Sequence, residues 1–374
     1  MKILLIGNYL SDGQESMQRF TTLMQDGLTR AGYRTKLIRP PEFISRLSPG
    51  LKGLRKWLGY VDKFVIFPVL LRAAARWADI VHICDHSNAS YARWVGMTPC
   101  LVTCHDLLAV RGALGEQTDC PASRTGRYLQ QWIVQGLRSA TVLVSVSTAT
   151  SLDVEHIVGG PAHTRKVVLN ALNYPYQRIS REESLGRLSQ VAQLEPTKPF
   201  VLHVGQNQAR KNRGGVIRAF ARASREIDCR LVLAGQSLSP ELQELIRAEG
   251  IADRVTVVIK PSNEVLEALY NMALALFFPS RYEGFGWPII EAQACGCPVI
   301  CSRCAPFSEV VGSTGITREV DDESGFAADI VRLARDAAER EAWVGKSLEN
   351  AARFNPEQMI ARYVDVYREF AKRR

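Results

Sequence analysis

The sequence predicts an α/β protein with two doubly wound, Rossmann-like domains. Short continuous apolar runs alternate with longer amphipathic stretches through most of the chain, which is typical of parallel sheets covered by helices on both faces. The pattern stops in the polar stretch Ser180–Lys198 and then restarts. A chain of 374 residues is also longer than the roughly 250 to 300 residues that one hydrophobic core serves. We therefore predict one domain at residues 1–173 and a second at residues 174–355.

The apolar runs give the positions of the strands. Those of the first domain are Lys2–Ile6, Thr35–Ile38, Ile80–Ile83, Cys100–Thr103, Thr141–Val146 and Lys166–Leu169. Those of the second are Phe200–Val204, Arg230–Ala234, Val255–Ile259, Ala273–Phe278 and Pro298–Ser302. The last segment, Pro356–Lys372, has apolar side chains at helical spacing and predicts a helix. Because ligands of open parallel sheets bind beyond the carboxyl ends of the strands, functional residues are expected directly after strands in both domains.

Composition and cysteine content indicate a soluble protein of a reducing compartment. The chain is 46% hydrophobic and 23% charged, which excludes a largely disordered or low-complexity protein. Its longest apolar run, Phe64–Leu71, is far shorter than the roughly 20 residues that span a bilayer. Met1–Leu10 is typical of a first strand rather than of a signal peptide. Nine cysteines without an export signal indicate free thiols, so we expect a cytoplasmic protein.

The net charge of +9 is concentrated in one stretch, residues 30–76, which holds 11 basic and 2 acidic side chains. Within residues 43–77 the cations alternate with aromatic and aliphatic side chains. Three interpretations remain open: docking on an anionic membrane, binding of nucleic acid, and a solvated helix face beside a core. No nucleic-acid-binding motif accompanies this stretch, so we expect no nucleic acid partner. The density of apolar groups favours peripheral contact with the cytoplasmic face of a membrane.

The most distinctive stretch, Pro279–Pro298, follows the predicted strand Ala273–Phe278. Gly284 and Gly286 would let the backbone approach a ligand closely. Pro288 suits the first turn of a helix, and the Gly-Cys-Pro sequence at 296–298 would end it. The unpaired N–H groups and the dipole at the start of that helix favour a phosphate.

Two carboxylates flank this predicted anion site. Glu283 precedes the helix, and Glu291 lies one turn inside it. Carboxylates beside a phosphate are best explained by hydroxyl groups that need acceptors, as on a sugar or a ribose. The alternative, a buried turn with two solvated acids, leaves the glycines and Pro288 unexplained.

These residues resemble the signature of glycosyltransferase family 4, the retaining enzymes with the GT-B fold, in which two such domains face a central cleft. The signature is the pair Glu283 and Glu291 with seven residues between them. Other segments resemble the family in the same order, and together they cover most of the chain: Val102–Asp106, Val144–Thr148, Leu202–Gly205 with Arg210–Asn212, Leu231–Gly235 and Ser308–Gly312.

The resemblance implies roles in binding the donor. Lys211 would bind the diphosphate, Glu291 the ribose hydroxyls, and Glu283 the transferred sugar. The backbone of Gly284, Phe285 and Gly286 would contact sugar and phosphate, and Gly205, Gln206 and Asn212 would complete the loop around the diphosphate. Many members have arginine directly after the loop glycine, where this chain has Gln206. Arg210 is the candidate for the missing charge.

In the first domain, the resemblance places His105 beside the sugar in the cleft and gives Asp106 the role of fixing its loop. Gly13 stands where the family has a glycine-containing loop near the phosphates and the acceptor, although the usual double glycine is absent. The family also implies that the C-terminal helix, within residues 356–374, packs back onto the first domain.

The chemistry of sugar transfer accounts for these residue types without the family. The transition state resembles an oxocarbenium ion while negative charge builds on the leaving diphosphate. Fixed cations such as Lys211 and Arg210 stabilise that charge where water is excluded. No Asp-x-Asp metal motif follows a strand, and Asp321–Glu323 is predicted as a solvated loop or helix start. We therefore expect no metal and no cofactor.

Two groups of residues of types that bind metals are candidate zinc sites. Alternation would place His82, Cys84 and His86 on one face of a strand, where a packed or cleft-lining role is favoured over zinc. The second group is Cys295, Cys297, Cys301 and Cys304, which bracket a predicted helix end and a strand, so zinc is disfavoured there too.

The sequence thus predicts a retaining, metal-independent hexosyltransferase that moves a sugar from a nucleotide-diphosphate sugar to a saccharide or lipid-linked acceptor. Cell-surface polysaccharide or glycolipid synthesis is the expected setting. Residues 174–355 would bind the donor, and residues 1–173 would bind the acceptor. A nucleotide-sugar epimerase or a phosphorylase of the same fold remains an alternative, as does a non-catalytic basic protein that binds membranes or nucleic acid.

Overall fold

The protein divides into two compact units. The computed structural model describes residues 1–44, 52–116, 118–161, 164–192 and 194–371, and for residues 52–56 it describes the backbone alone. Unit 1 comprises Met1–Asn173 and Pro356–Arg374, and unit 2 comprises Tyr174–Asn355. Each unit has a six-stranded sheet in which every paired strand is parallel.

Unit 1 is built around a sheet of strand order β2-β1-β3-β4-β5-β6. Its strands are β1 (Lys2–Ile6), β2 (Arg34–Ile38), β3 (Ile80–Ile83), β4 (Cys100–Cys104), β5 (Val142–Ser145) and β6 (Arg165–Val167). Its helices up to this point are α1 (Glu15–Arg30), α2 (Lys52–Val61), α3 (Phe67–Ala75), α4 (Leu108–Ala113), α5 (Arg124–Ser139) and α6 (Thr148–Val158). The π-helical segment Asp62–Ile66 joins α2 to α3, and a 3-10 helix covers His86–Trp94.

Unit 2 repeats the plan with strand order β12-β11-β10-β7-β8-β9. Its strands are β7 (Phe200–Gly205), β8 (Arg230–Gly235), β9 (Val255–Ile259), β10 (Ala275–Phe278), β11 (Val299–Ser302) and β12 (Ile316–Arg318). Its helices are α7 (Arg181–Leu188), α8 (Arg213–Ala223), α9 (Pro240–Ala248), α10 (Asn263–Met272), α11 (Trp287–Ala294), α12 (Phe307–Val310), α13 (Glu323–Arg335) and α14 (Ala337–Ala351). The last helix of the chain, α15 (Pro356–Phe370), belongs to unit 1.

The predicted fold class is confirmed, and the predicted strands lie within two residues of the observed ones. β12 was not predicted, because its three residues Ile-Thr-Arg contain a single apolar side chain. The interpretation of His82, Cys84 and His86 as one face of a strand is wrong. β3 ends at Ile83, so His86 instead begins the 3-10 helix that follows.

The polar stretch around Asp322 starts a helix, as one of the two sequence interpretations had it. The Asp322 carboxylate accepts the backbone N–H of Gly325 at 2.8 Å and caps α13. A capping aspartate at this position satisfies one of the free N–H groups of the first turn.

The apolar stripe of α15 is buried in unit 1. Met359, Ile360, Val364 and other members of the stripe lie inside, and Ile360 packs on α1 at Gly27. A β-carbon at Gly27 would lie 2.5 Å from the Ile360 side chain, so this contact requires a residue without one. The close approach fixes where α15 crosses α1.

A buried hydrogen-bond network also anchors α15. The Tyr367 hydroxyl lies 2.6 Å from Nδ1 of His82, and Nε2 of His82 lies 2.8 Å from the Thr103 hydroxyl. The Thr103 hydroxyl is in turn 3.0 Å from that of Tyr363. Burial lowers the pKa of His82 to about 3, so the imidazole is neutral and has one donor and one acceptor nitrogen. The network thus joins α15 to β3 and β4.

In the described part of the chain, no helix combines the length and the apolar character that crossing a bilayer demands.

Candidate active site

The loop after β7 is held in one conformation by contacts with the loop after β10. Asn212 lies between a 3-10 turn, Ala209–Lys211, and α8, with a left-handed φ of 53°. Asparagine tolerates this region better than most residues. Its Nδ2 donates to the backbone oxygen of Pro279 at 3.2 Å. Because β7 and β10 are neighbours, this bond joins two loops at the carboxyl edge of the sheet.

Glu283 lies between two cations of the β7 loop. Its Oε1 accepts from Lys211 Nζ at 2.6 Å, and its Oε2 accepts from Arg210 Nη1 at 2.9 Å. Glu283 is 7% exposed. Burial by itself would raise the pKa of this carboxyl, but the charges of Lys211 and Arg210 outweigh burial and lower it. The structure therefore brings together three residues that the sequence predicted for the donor site.

Helix α11 begins where the sequence placed the start of a phosphate-binding helix. Gly286 stands before it with a φ of 101°, and a β-carbon there would lie 2.6 Å from Phe307. Both facts require glycine. Pro288 lies in the first turn, and Gly296 follows the helix with a φ of 73°. Phe285 is buried against Trp287 and Phe354, so this part of the loop is packed rather than solvated.

Glu291 is held by a residue that the sequence analysis did not single out. The Tyr270 hydroxyl donates to Glu291 Oε2 at 2.9 Å, and both side chains are at least 95% buried. Burial and the neighbouring carboxylate raise the pKa of Tyr270 well above its usual value, so the phenol remains a donor. Tyr270 lies on α10, and no motif marks it; only the packing of α10 on α11 reveals it.

His203 and Arg213 are two further buried polar residues near the β7 loop that the sequence did not predict. Burial lowers the pKa of His203 to about 3, so its ring is neutral, and Nδ1–H donates to the Phe277 backbone oxygen at 3.0 Å. Arg213, the first residue of α8, is 3% exposed. No sequence pattern distinguishes His203, because it lies within the apolar run of β7. Arg213 directly follows the Arg210–Asn212 segment but is not part of it.

The remaining predicted residues lie in unit 1. His105 follows β4, and its Nε2–H donates to the Cys84 backbone oxygen at 2.9 Å. Burial lowers the pKa of His105, so its imidazole is neutral. Asp106 accepts the Leu108 backbone N–H at 3.2 Å and holds the turn after β4. Gly13 ends the 3-10 helix Leu10–Asp12 with a φ of 64°.

An ion pair of buried Asp85 and half-buried His86 lies beside His105 at the carboxyl ends of β1 and β3. His86 Nδ1 is 3.2 Å from Asp85 Oδ1, and Asn8 Nδ2 donates to Asp85 Oδ2 at 2.6 Å. The Ser87 hydroxyl donates to the same oxygen at 2.5 Å. Burial alone would lower the pKa of His86, but the neighbouring Asp85 carboxylate outweighs burial and raises this pKa. For His86 the sequence favoured a packed or cleft-lining role over zinc, and it did not predict the pairing with Asp85.

Among the described residues, no group of three His, Cys, Asp or Glu side chains is arranged to hold a metal ion.

Comparisons with known proteins show similarity to glycosyltransferases. A family model described as "Glycosyl transferases group 1" matches residues 187–349, which lie within unit 2. Over 249 residues the chain is 29% identical to O-antigen chain mannosyltransferase B of Escherichia coli, covering 65% of this chain and 64% of that protein. Over 256 residues it is 26% identical to N-acetyl-alpha-D-glucosaminyl L-malate synthase of Bacillus anthracis, covering 67% and 65%. The chain thus matches a little under two thirds of the length of these relatives.

The fold is also that of solved structures. Sucrose-phosphate synthase from Thermosynechococcus elongatus matches with a TM-score of 0.74 at 20% identity, over 99% of this chain and 98% of that chain. At this level of identity the likeness establishes the fold, and the GT-B fold expected from the sequence is confirmed.

Proposed function

We propose that this chain is a member of the glycosyl transferases group 1 family, whose model matches residues 187–349, and that it moves a sugar from a nucleotide-diphosphate sugar to a saccharide or lipid-linked acceptor. The observation that carries this proposal is the Glu283 carboxylate, bound by Lys211 and Arg210 at the carboxyl edge of the unit 2 sheet. The arrangement offers cations for a diphosphate and, directly beside them, an acceptor for sugar hydroxyls.

The cations act on the leaving group. As the bond between the sugar and the diphosphate breaks, its electrons stay on the diphosphate oxygen, and the sugar becomes cation-like. Lys211 and Arg210 stabilise the growing negative charge, while Glu283 accepts hydrogen bonds from the sugar and faces its positive charge. Glu291, held by Tyr270, accepts from the ribose hydroxyls. Binding these remote hydroxyls helps to position the reacting bond.

We further propose that the reaction retains the anomeric configuration and needs neither a metal nor a cofactor. Two fixed cations within 3 Å of Glu283 supply positive charge of the kind that a divalent ion provides at other diphosphate sites. The proposal that the anomeric configuration is retained rests on the resemblance to the family alone.

The acceptor is proposed to bind to unit 1. Its sheet edge carries neutral His105 and the charged pair of Asp85 and His86, which together offer donors and acceptors to hydroxyl groups. The proposed setting, cell-surface polysaccharide or glycolipid synthesis, is supported by the O-antigen mannosyltransferase among the relatives.

We also propose that unit 1 touches the cytoplasmic face of a membrane. A row of exposed apolar side chains at intervals of four residues runs along α2, the π-helical segment and α3: Trp57, Val61, Val65 and Val69, with Leu70 beside the last. Trp57 is 67% and Val69 is 68% exposed. On α5, Tyr128 and Trp132 are exposed too, and Trp132 packs against Phe64. Such a row suits insertion among lipid headgroups.

The cations expected to assist membrane contact differ in whether they are exposed and free to meet lipid headgroups. Lys63 is bound to Asp12 at 2.6 Å and lies 5.0 Å from the Tyr9 ring, so its charge is already paired. Arg72 and Arg76 are exposed on and just after α3. Residues 45–51, which include Arg46, and the side chains of 52–56, which include Arg55 and Lys56, lie outside the described residues. The proposal therefore depends on the apolar row, and nucleic acid has no part in it.

A donor screen tests the proposed activity. Thermal unfolding is measured with UDP-, GDP- and ADP-sugars for the wild type, for Glu291→Gln, and for Glu323→Gln as a control that alters a surface ion pair of the same unit. One donor family should raise the Tm of the wild type and the control and fail to raise that of Glu291→Gln. Acceptor-dependent release of the nucleoside diphosphate then separates transfer from epimerisation. Stabilisation by none of the donors contradicts the proposal.

A further inference from the structure

Arg213 is a buried cation that binds backbone and amide oxygens instead of a carboxylate. Its Nη1 donates to Asn207 Oδ1 at 2.6 Å and to the Gln236 backbone oxygen at 3.1 Å. Its Nη2 donates to the backbone oxygens of Gly205 at 2.6 Å and Ala234 at 3.3 Å. The guanidinium thus joins the end of β7 to the end of β8, and Arg213 closely follows Arg210 and Lys211 in sequence.

This position is an unfavourable one for a positive charge. Within the described residues Arg213 forms no ion pair, although it is 3% exposed, and burial lowers its pKa to about 10. It is also the first residue of α8, where the helix dipole disfavours a cation. A pKa of about 10 still leaves the group protonated at neutral pH. A buried charged group with a strongly shifted pKa and no ion-pair partner among the described residues is typical of a functional site.

The surrounding backbone is shaped to fit the guanidinium. Gly235 has a φ of 131°, and a β-carbon there would lie 2.1 Å from the Gly205 oxygen and 3.4 Å from Arg213 Nη2. Glycine at 235 therefore lets the two strand ends meet at the arginine. In a trans peptide the C=O and the following N–H point in opposite directions. Because Arg213 holds the Gly205 oxygen, the N–H of Gln206 points to the side of the loop away from Arg213.

The side chains of this loop and Glu283 together carry a net charge of about +2. Arg210, Lys211 and Arg213 are positive, and Glu283 is the carboxylate that two of them bind. A nucleotide-diphosphate sugar carries two negative charges on its diphosphate. The two negative charges of such a donor would therefore neutralise the excess positive charge of the loop.

We propose that Arg213 is a positioning residue for the terminal phosphate of the nucleotide donor. It fixes the β7 loop so that the backbone N–H of Gln206 and the cations of Arg210 and Lys211 face that phosphate, and its own charge stabilises the phosphate through the loop. The proposal rests on the proposed function, and it assigns to a buried arginine part of the work that an arginine at position 206 would do.

Nucleotide affinities test this role without requiring the acceptor to be known. Dissociation constants are measured by calorimetry for UDP and UMP, GDP and GMP, and ADP and AMP, and the pair that the wild type binds is used. In Arg213→Met and Arg213→Gln, affinity for the diphosphate should fall about ten- to hundredfold, because the loop donors lose the position that Arg213 gives them and the phosphate loses a nearby positive charge. Affinity for the monophosphate should change less than about twofold. Arg213→Lys keeps the charge without the planar fork and should lie between these limits.

Arg222→Met is the matched control, because Arg222 is on the same helix and is 52% exposed. It should leave both affinities unchanged, and near-UV circular dichroism and Tm show which variants fold. If folded Arg213→Met or Arg213→Gln keeps the preference for diphosphate, or loses both nucleotides equally, the positioning role is wrong. If neither neutral variant folds, an Arg213→Lys preference equal to that of the wild type overturns it. A wild type that binds no nucleoside diphosphate contradicts the proposed function itself.

Discussion

Lys211 Nζ lies 2.6 Å from Glu283 Oε1, so the cation assigned to the donor diphosphate is neutralised by the carboxylate assigned to the donor sugar. The two groups stabilise each other in the free protein, and each must share its partner with the substrate when the donor binds. Because of this pairing, replacing Glu283 should slow catalysis but strengthen binding of the product nucleoside diphosphate.

Glu283→Gln should lower kcat about 10²- to 10³-fold, because the sugar loses a charged partner in the transition state. The same change releases Lys211 and Arg210, so affinity for the free nucleoside diphosphate should rise. Steady-state release of diphosphate and calorimetry measure the two quantities. Glu323→Gln, on a surface ion pair, should change neither by more than about twofold. A variant that loses both activity and diphosphate affinity would contradict this assignment.

Arg210→Met should lower kcat/KM about 10²-fold, since a cation near the leaving group is removed. Adding Gln206→Arg to that variant should restore part of the loss, because it places an arginine directly after the loop glycine. Kinetics of the single and double variants provide the measurement. Full activity in Arg210→Met would show that the Arg210 contact with Glu283 has no part in catalysis.

Tyr270→Phe removes the hydroxyl that orients Glu291. The ribose is remote from the reacting bond, so KM for the donor should rise about tenfold with kcat little changed. The buried Glu291 carboxylate also loses a donor, and the free energy of unfolding should fall by about 1 to 2 kcal/mol. Denaturant titration and donor saturation curves test the two effects. A fall in kcat at unchanged KM would place Tyr270 near the reacting bond instead.

Val65→Asp with Val69→Asp should abolish binding to liposomes that contain anionic lipid. Each introduced carboxylate replaces an exposed valine in the proposed lipid-facing row, and at more than 60% exposure neither change should unfold the protein. Liposome flotation compares this variant with Met97→Asp, a substitution at a 93% exposed apolar residue elsewhere in unit 1. If the double variant floats as the wild type does, the row is a solvated surface.

Asp85→Asn should destabilise the protein by about 3 kcal/mol near pH 5 to 6, because it removes a buried carboxylate charge that pairs with His86 and accepts hydrogen bonds from Asn8 and Ser87. The pKa of His86 is raised above 6.5, so its pairing stabilises the folded state below that pH and is lost as the pH rises through the higher folded pKa. The pKa of Asp85 is lowered below 3.8, so its contribution is present above that pH and is lost in stronger acid. The difference in unfolding free energy should therefore be largest between about pH 4 and 6.5.

Denaturant unfolding across this pH range measures the difference, with Asp365→Asn, on a 74% exposed side chain, as the control. A difference that stays constant from pH 4 to 9 would show that His86 is not paired in the folded protein.

Much of the fold could be predicted because its strands are covered on both faces. Runs such as Phe200–Val204 are continuous and apolar, and a short edge strand such as β12 leaves no such run. The loop after β10 and the start of α11 could be predicted for a different reason: Gly286, Pro288 and Glu291 follow one another in sequence, so their relationship is local. The expectations for His105 and Gly13 came from the family and stay predictions.

The contacts between distant segments could not be predicted. Tyr270 meets Glu291 across two helices, and Arg213 meets the oxygens of Ala234 and Gln236 at the end of another strand. In the sequence, Arg213 is one more cation at the start of a helix. Its function depends on burial and on the absence of an ion pair among the described residues, and neither property is encoded in a local pattern.

The anchoring of α15 in unit 1 limits when that unit can be completed during synthesis. Tyr363 and Tyr367 are added to the chain only after residues 174–355, the whole of unit 2, have been translated. Until then, His82 and Thr103 lack their partners from α15, and the surface of α1 at Gly27 is uncovered. Unit 1 therefore cannot be completed before the whole of unit 2 has been synthesised.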